Sequence, residues 1–197
     1  MKSSQETQCS RQNILLGVSG SVAAIKTKEL YDLLAVSYNV RVVTTNSGMN
    51  FVRNLNNIDE MTIYQDEEEW KTWRSKGDKV LHIELRKWAD GMIIAPLSAN
   101  TLAKISNGIC DNLLTCIVRA WDFEKPLLLA PAMNTCMWKN PLTKKQLKVC
   151  TDLGFITVPP ISKKLACGDV GEGAMAEPSE ITSMYVSITN SGATDVK

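Results

Sequence analysis

Short apolar runs alternate along the chain with longer stretches in which apolar residues recur every three or four positions. The runs are rich in Ile, Leu and Val, which is typical of strands buried on both faces of a parallel sheet. The predicted strands are Asn13–Val18, Val40–Thr45, Gly91–Pro96, Pro126–Pro131 and Gly154–Pro160. The amphipathic stretches predict helices over Ser21–Val36, Ser98–Ser106, Asn112–Ala120 and Leu142–Leu153.

This alternation of strands and helices predicts an α/β fold: a single-domain doubly wound parallel sheet, Rossmann-like or flavodoxin-like, with helices on both faces. The predicted domain spans residues 13–190, between disordered tails at 1–12 and 191–197. An acidic, polar insertion, Asn56–Asp78, separates the second and third of these strands. We interpret it as a solvated surface helix anchored by Trp70 and Trp73.

Composition narrows the class of protein. The chain has 22 Lys and Arg against 21 Asp and Glu, without the run of like charges that marks a nucleic-acid arm. No run approaches the roughly 18 apolar residues of a membrane helix, and the polar N-terminus has no secretory signal. We therefore expect a soluble cytoplasmic protein whose six cysteines are thiols, with neither nucleic acid nor membrane as a partner. Scattered cysteines and a single histidine argue against a metal site.

Polar residues follow the first two strands, at the sheet edge where ligands of such folds bind. "SGSVAA" (Ser19–Ala24) combines a glycine turn, hydroxyls and a helix start, a pattern that suits a phosphate. "TTNSGMNF" offers Thr44 and Thr45 where a dinucleotide site would carry an acidic residue for the ribose. Each loop alone could be a simple turn and helix cap. Together they favour a mononucleotide.

Three later segments offer further candidates. Ser98, Asn100 and Thr101 begin a helix after the third strand, where capping is an equally good explanation. Asn134 stands among Met133, Met137 and Trp138, which could be core filler, but a buried amide needs a partner and a ligand carboxylate would supply one. His82 is the one side chain whose ordinary pKa allows proton transfer near neutral pH, although a lone histidine is more often structural.

In this order, the segments resemble the flavin-containing cysteine decarboxylase family, which also includes halotolerance proteins and lantibiotic-processing enzymes. The resemblance extends from about residue 13 to about residue 183 and looks closest to the plant members. Its diagnostic pieces are "SGSVAA", "LHIELRKWAD", "APLSANTLAKISNGICDNLLTCIVRAW", "PAMNTCMW" and "KKLACGDVGEGAMAEP".

The resemblance implies an FMN-dependent carboxy-lyase that converts 4′-phosphopantothenoylcysteine to 4′-phosphopantetheine in coenzyme A biosynthesis. It also implies a homotrimer with active sites between subunits. The cofactor-binding residues that it implies are Gly20, Ser21, Val22 and Thr45 at the phosphate, and Phe51, Ser98, Ala99, Asn100 and Thr101 around the rest of the flavin. The catalytic residues that it implies are His82 as base and Cys167 as proton donor. The substrate-binding residues that it implies are Asn134, Met137, Lys164 and Ala166.

The chemistry explains why a cysteine would stand in the Gly-rich stretch between Lys163 and Met175. A cysteine carboxylate has no adjacent electron sink, so a flavin must first oxidise the carbon that bears sulfur to a thioaldehyde. Loss of carbon dioxide then leaves an enethiolate, which needs a hydride and a proton to become the saturated product. A thiol on a loop that closes over the substrate suits that proton transfer, which is the role that the resemblance implies for Cys167. The alternative is a small residue in a turn.

Other functions remain open within and near this family. Halotolerance members act as inhibitory subunits of a protein phosphatase, but they typically carry long acidic extensions, which we do not find here. Oxidative peptidyl-cysteine decarboxylases release the enethiol and lack the matching cysteine. A prenylated-flavin synthase would not explain Asn134 together with the Cys167 loop.

Overall fold

The computed structural model describes residues 11–164 and 170–192, which form a six-stranded parallel sheet with helices on both faces and a small hairpin. The strand order is β3-β2-β1-β4-β5-β6. The strands of the sheet are β1 (Asn13–Val18), β2 (Asn39–Thr44), β3 (Ile63–Tyr64), β4 (Gly91–Leu97), β5 (Leu127–Pro131) and β6 (Ile156–Thr157). The hairpin strands are β7 (Ile161–Lys164) and β8 (Val170–Ala174). The helices are α1 (Thr27–Ala35), α2 (Asn46–Val52), α3 (Asp66–Thr72), α4 (Leu81–Trp88), α5 (Ala99–Ser106), α6 (Leu113–Arg119), α7 (Thr135–Lys139), α8 (Pro141–Asp152) and α9 (Pro178–Gly192), with 3-10 turns at Val22–Lys26 and Ile58–Glu60.

Successive strand residues point to opposite faces and so build two apolar clusters. On one face, Ile14 and Leu16 of β1 pack with side chains of α1, α2 and α9. On the other face, Leu15 of β1 packs with side chains of α4, α5, α6 and α8. All seven residues of β4 are buried, as expected of a central strand covered on both faces. The predicted doubly wound fold is confirmed.

The Asn56–Asp78 insertion differs from its interpretation as a solvated surface helix. It contains the edge strand β3, whose Ile63 pairs with Val42 of β2, before the chain enters α3. Trp70 is 77% exposed and Trp73 49% exposed, so the prediction that they anchor this segment is wrong. The inner side of α3 is formed instead by Asp66 and Glu69, which bond to neighbouring helices.

Two other predicted elements have different bounds in the structure. The helix expected from Ser21 begins as a 3-10 turn and becomes α-helical only at Thr27. The last predicted strand is reduced to the two residues of β6, which pair only with β5 at the sheet edge. Neither change moves the loops that follow β1, β2, β4 and β5.

The β7–β8 hairpin leads from the sheet to α9. The predicted residues Ala166 and Cys167 lie outside the described residues. Lys164 ends β7, and its side chain also lies outside the description. Within residues 11–164 and 170–192, no helix is long and apolar enough to span a bilayer.

Candidate cofactor and substrate site

The strand order reverses between β1 and β4, and an open cleft of about 250 Å³ lies beside the carboxyl ends of these strands. This is where doubly wound sheets bind ligands. The cleft is lined by Gly20, Thr45, Asn46, Ser47, Asp66, Ser98, Asn100, Thr101, Lys104, Asp111 and Asn112. The structure therefore brings together the loops after β1, β2 and β4, as their positions after the strands predict.

Two of the predicted binding residues also cap the helices that open onto the cleft. The Thr45 hydroxyl accepts a hydrogen bond from Gly48 N at 3.1 Å at the start of α2. The Ser98 hydroxyl accepts one from Thr101 N at 3.2 Å at the start of α5. Capping and ligand binding are therefore compatible explanations of the same hydroxyls, because each cap holds its oxygen at the cleft wall.

Gly20 allows the loop after β1 to approach the start of α2. A Cβ atom at this position would lie 2.5 Å from Ser47 Cβ, far inside van der Waals contact. Any larger residue would push apart the two loops that line the cleft. The next residue, Ser21, caps the 3-10 turn by accepting a hydrogen bond from Ala23 N at 3.4 Å, and Val22 is 45% exposed.

The remaining predicted flavin contacts lie next to the cleft lining rather than within it. Phe51 is half-buried on α2 and packs against the apolar cluster on the α1 side of the sheet. Ala99 begins α5 and packs against the opposite cluster.

The charged groups of the cleft are paired with one another or with the backbone. Lys104 Nζ contacts both carboxylate oxygens of Asp111 at 2.8 Å, and this hydrogen bond holds the pKa of Asp111 below its ordinary value. Asp66 Oδ1 accepts a hydrogen bond from Leu113 N at 2.8 Å, at the start of α6. The cleft therefore presents mainly hydroxyls and amides to a ligand.

The Asn134 segment and the β7–β8 hairpin pack against each other at the end of β5. Met133 N donates to Gly173 O at 2.8 Å, and the Thr135 hydroxyl donates to Glu172 O at 2.9 Å. Gly173 adopts a positive φ of 123°, and a Cβ there would lie 2.4 Å from Met133 O. β8 is therefore docked on the segment that contains Asn134.

Asn134 caps α7 by accepting a hydrogen bond from Cys136 N at 2.8 Å. Asn134 is partly exposed, so the expectation that its amide is buried is wrong. Met137, one turn along α7, is 51% exposed. The Met137 side chain is thus accessible to a ligand.

His82 lies on α4, where Leu81–Trp88 leads into β4. Its Nδ1 is 2.5 Å from Oε1 of Glu69 on α3. Within the described part of the chain, neither His82 nor Asn134 is among the residues lining the cleft between β1 and β4.

Sequence reasoning missed several of the polar groups at the site, namely Asp66, Glu69, Lys104, Asp111 and Asn112. Asn112 and Thr115 form a capping box at the start of α6, a pattern that could have been found in the sequence. Lys104 lies on the predicted helix α5. Asp66 and Glu69 are brought to the site by the packing of α3, and Asp111 by the loop after α5, for which the sequence offers no local signal.

A comparison with protein families finds that a flavoprotein family model matches residues 2–190. Two plant relatives are similar over most of the chain. A probable phosphopantothenoylcysteine decarboxylase of Arabidopsis thaliana is 57% identical over 178 residues, covering 90% of this chain and 89% of the relative. A phosphopantothenoylcysteine decarboxylase of Oryza sativa subsp. japonica is 58% identical over 174 residues, covering 88% of this chain and 79% of the relative.

Solved structures agree in fold over nearly the same region. A Cys-to-Ser mutant of PPC decarboxylase complexed with pantothenoylaminoethenethiol superposes with a TM-score of 0.88 at 52% identity, covering 92% of this chain and 100% of that one. The FMN binding protein AtHal3 superposes with a TM-score of 0.85 at 54% identity, covering 92% and 98%.

Proposed function

This chain belongs to the flavoprotein family, and we propose that it is an FMN-dependent decarboxylase that converts 4′-phosphopantothenoylcysteine to 4′-phosphopantetheine in coenzyme A biosynthesis. The observation that carries the proposal is the docking of the β7–β8 hairpin on the Asn134 segment. It brings β8, which follows Cys167 in the sequence, next to an amide able to bind a carboxylate.

The donor set of the cleft fits FMN. Hydroxyls and amides suit a phosphate and the polar edge of a flavin, and the lining cation Lys104 is held by Asp111. We assign Gly20, Ser21, Val22 and Thr45 to the phosphate end, and Phe51, Ser98, Ala99, Asn100 and Thr101 to the rest of the cofactor. When bound there, FMN supplies reversible two-electron chemistry at the substrate carbon that bears sulfur.

The chain's own residues then bind the substrate and move protons. The Asn134 amide donates to the substrate carboxylate, which orients the bond that breaks. His82 acts as general base, and Cys167 donates the proton that the product needs at carbon. Met137, Lys164 and Ala166 contact the substrate beside these groups. The PPC decarboxylase complex supports the role of a cysteine in this chemistry, because its Cys-to-Ser mutant is bound to an enethiol.

The active assembly in this proposal is a homotrimer with active sites between subunits. Exposed apolar side chains near the cleft support subunit contacts: Trp70 lies four residues after cleft-lining Asp66, and Ile109, 49% exposed, lies two residues before Asp111. A cytoplasmic location is consistent with four described cysteines, Cys110, Cys116, Cys136 and Cys150, all of which are free thiols. By similarity to the halotolerance members, we also propose that the protein contributes to salt tolerance.

The test is mass spectrometry of the products after the purified, FMN-loaded protein is incubated with 4′-phosphopantothenoylcysteine. We expect saturated 4′-phosphopantetheine from the parent and an enethiol two hydrogens lighter from Cys167→Ser. Cys136→Ser is the matched control, because this exposed thiol on α7 lies beside Asn134 but has no role in the proposal. The control should yield the saturated product.

Each other outcome has a distinct meaning. Saturated product from Cys167→Ser at the parent's yield would refute the role of Cys167 but leave the decarboxylase activity standing. No product from the FMN-loaded parent would refute the proposed activity and would favour a regulatory, phosphatase-inhibitory function. Enethiol as the sole product of the parent would favour an oxidative peptidyl-cysteine decarboxylase.

A further inference from the structure

The acidic insertion supplies a carboxylate to the chain's single histidine. Glu69 Oε1 lies 2.5 Å from His82 Nδ1, across the contact between α3 and α4. The Glu69 side chain is 15% exposed and that of His82 24% exposed, so bulk water competes only weakly with the contact. The two residues are thirteen positions apart, and only the packing of the two helices brings them together.

The chemistry of this contact decides which ring nitrogen carries hydrogen. A carboxylate oxygen accepts hydrogen bonds and cannot donate one, so Nδ1 must be the donor. In neutral imidazole the other nitrogen, Nε2, then keeps its lone pair. We propose that Glu69 is the positioning residue of the site, which holds His82 as the Nδ1–H tautomer with Nε2 available to accept a proton from the substrate. The statement that Nε2 accepts a proton from the substrate rests on the proposed function.

The fold holds Glu69 in place from the first turn of α3. Asp66 accepts from Leu113 N at 2.8 Å, which fixes the start of α3 against α6. Glu68 accepts from Gln65 N at 2.7 Å in a capping box. Glu69 follows Asp66 by three positions and therefore projects from the same side of the helix. The helix bonded to the cleft wall is thus the helix that orients the histidine.

Neighbouring groups do not replace Glu69 in this role. Glu84, two residues from His82 on α4, forms ion pairs with Lys79 and Lys87 at 3.9 and 3.5 Å. The Cys116 thiol of α6 also lies near Glu69, and burial, together with the charge of Glu69, raises its pKa to about 11. Cys116 therefore stays protonated at neutral pH and places no second negative charge next to the pair.

His82 can be observed directly because it is the only histidine in the chain. Untagged, FMN-loaded protein labelled with ¹⁵N-histidine shows the two ring nitrogens of one residue in a long-range ¹H–¹⁵N correlation spectrum. At mildly alkaline pH we expect the parent to carry hydrogen on Nδ1, whereas free neutral histidine prefers Nε2. Glu69→Ala should lose this preference. Glu69→Gln should weaken it, since an amide can also turn its NH₂ group towards Nδ1.

Steady-state kinetics on the same proteins separate positioning from binding. General-base catalysis contributes about 10²–10⁴-fold, so loss of orientation should lower kcat about 10–100-fold with KM changed less than about twofold. Glu67→Gln is the matched control, because Glu67 lies on the same helix with its side chain 75% exposed and paired only weakly with Lys71 at 3.5 Å. It should retain the parent's spectrum and kcat.

The results distinguish the two proposals. An Nε2–H tautomer in the parent, or an unchanged Nδ1–H tautomer in both Glu69 variants, would overturn the positioning role whatever the activity. The parent protein could instead show a tautomer that depends on Glu69 but fail to decarboxylate the substrate. That result would confirm the contact between Glu69 and His82 and refute the proposed function. A changed tautomer with unchanged kcat would show that Glu69 orients His82 but that the reaction does not depend on it, which also overturns the proposal.

Discussion

The hydroxyl of Ser19 joins the ends of β1 and β4 at the point where the strand order reverses. It donates a hydrogen bond to Pro96 O at 2.8 Å and accepts one from Ser98 N at 2.7 Å, and the Ser19 residue is completely buried. Ser98 is the cap of α5 and lines the cleft. Together with the backbone hydrogen bond from Ser19 N to Pro96 O at 3.2 Å, this buried hydroxyl holds the loop after β1 against the loop after β4, both of which we assign to FMN.

Ser19→Ala should loosen this junction. The change leaves Ser98 N without its acceptor in a buried environment, which costs about 1–3 kcal/mol of unfolding free energy. It should also weaken FMN binding, because the cap of α5 is no longer held against β1. Urea denaturation of the apoprotein and fluorescence titration with FMN measure the two effects. Ser37→Ala, at an exposed serine after α1, should change neither quantity, and equal losses in both variants would contradict this role of Ser19.

Asn134 has a structural role as a helix cap and a proposed role in substrate binding, and two substitutions separate them. Asn134→Asp keeps an oxygen that can accept from Cys136 N, so α7 should remain capped, but its charge repels a substrate carboxylate. We expect a loss of kcat/KM of about 100-fold or more in the steady-state assay. The free energy of unfolding should change by less than about 1 kcal/mol.

The matched control for Asn134 is Asn140→Ala, which removes the cap of the next helix, α8, where the side chain accepts from Leu142 N at 2.9 Å. This variant should lose about 1 kcal/mol of stability and keep its kcat/KM. Full activity in Asn134→Asp would show that the amide does not bind the carboxylate.

The strand ends were predictable from the sequence because buried Ile, Leu and Val runs mark the strands of a parallel sheet wherever they occur. Gly20, Thr45 and Ser98 follow such runs, and they do line one cleft. β3 escaped prediction because a two-residue edge strand is too short to show a period. The anchoring role predicted for Trp70 is wrong because α3 turns Asp66 and Glu69 inward, where they bond to α6 and α4. The orientation of α3 depends on hydrogen bonds to other helices, which the local sequence pattern does not predict.

A pH-dependent contact holds the β7–β8 hairpin to the rest of the fold. Glu177, just before α9, bonds to Lys26 at the end of the 3-10 turn and to Lys163 of β7, the latter at 3.0 Å. These hydrogen bonds, that from Lys26 first, hold the pKa of Glu177 below its ordinary value of 4.5. Because the folded-state pKa is the lower one, the contact stabilises the fold above that ordinary value. Its contribution is lost as pH falls through the lowered pKa.

Hydrogen exchange followed by mass spectrometry tests this contact. Amides of β7 and β8 should be more protected in the parent at pH 7 than in Glu177→Gln, and that difference should shrink when exchange, corrected for its intrinsic rate, is compared near pH 3. Glu180→Gln, in the first turn of α9, is the control and should leave hairpin protection unchanged. A difference between parent and Glu177→Gln that persists undiminished at pH 3 would contradict the electrostatic origin of the effect.

Gly173 offers a way to disturb the docking of the β7–β8 hairpin without changing Cys167. An alanine there would suffer strain from its φ of 123° and would place Cβ 2.4 Å from Met133 O, so the hairpin must move away from the Asn134 segment.

Gly154→Ala is the matched control: Gly154 also has a positive φ, of 94°, but a Cβ there meets nothing within 4 Å. Both variants should lose about 1 kcal/mol or more of stability from backbone strain alone, and Gly173→Ala should lose more because of its clash with Met133 O. Only Gly173→Ala should shift the product of 4′-phosphopantothenoylcysteine from saturated 4′-phosphopantetheine towards the enethiol, because binding and decarboxylation precede the proton transfer that needs the loop. Mass spectrometry of the two variants under single-turnover conditions measures the ratio, and an equal ratio in both would mean that hairpin docking does not control the final step.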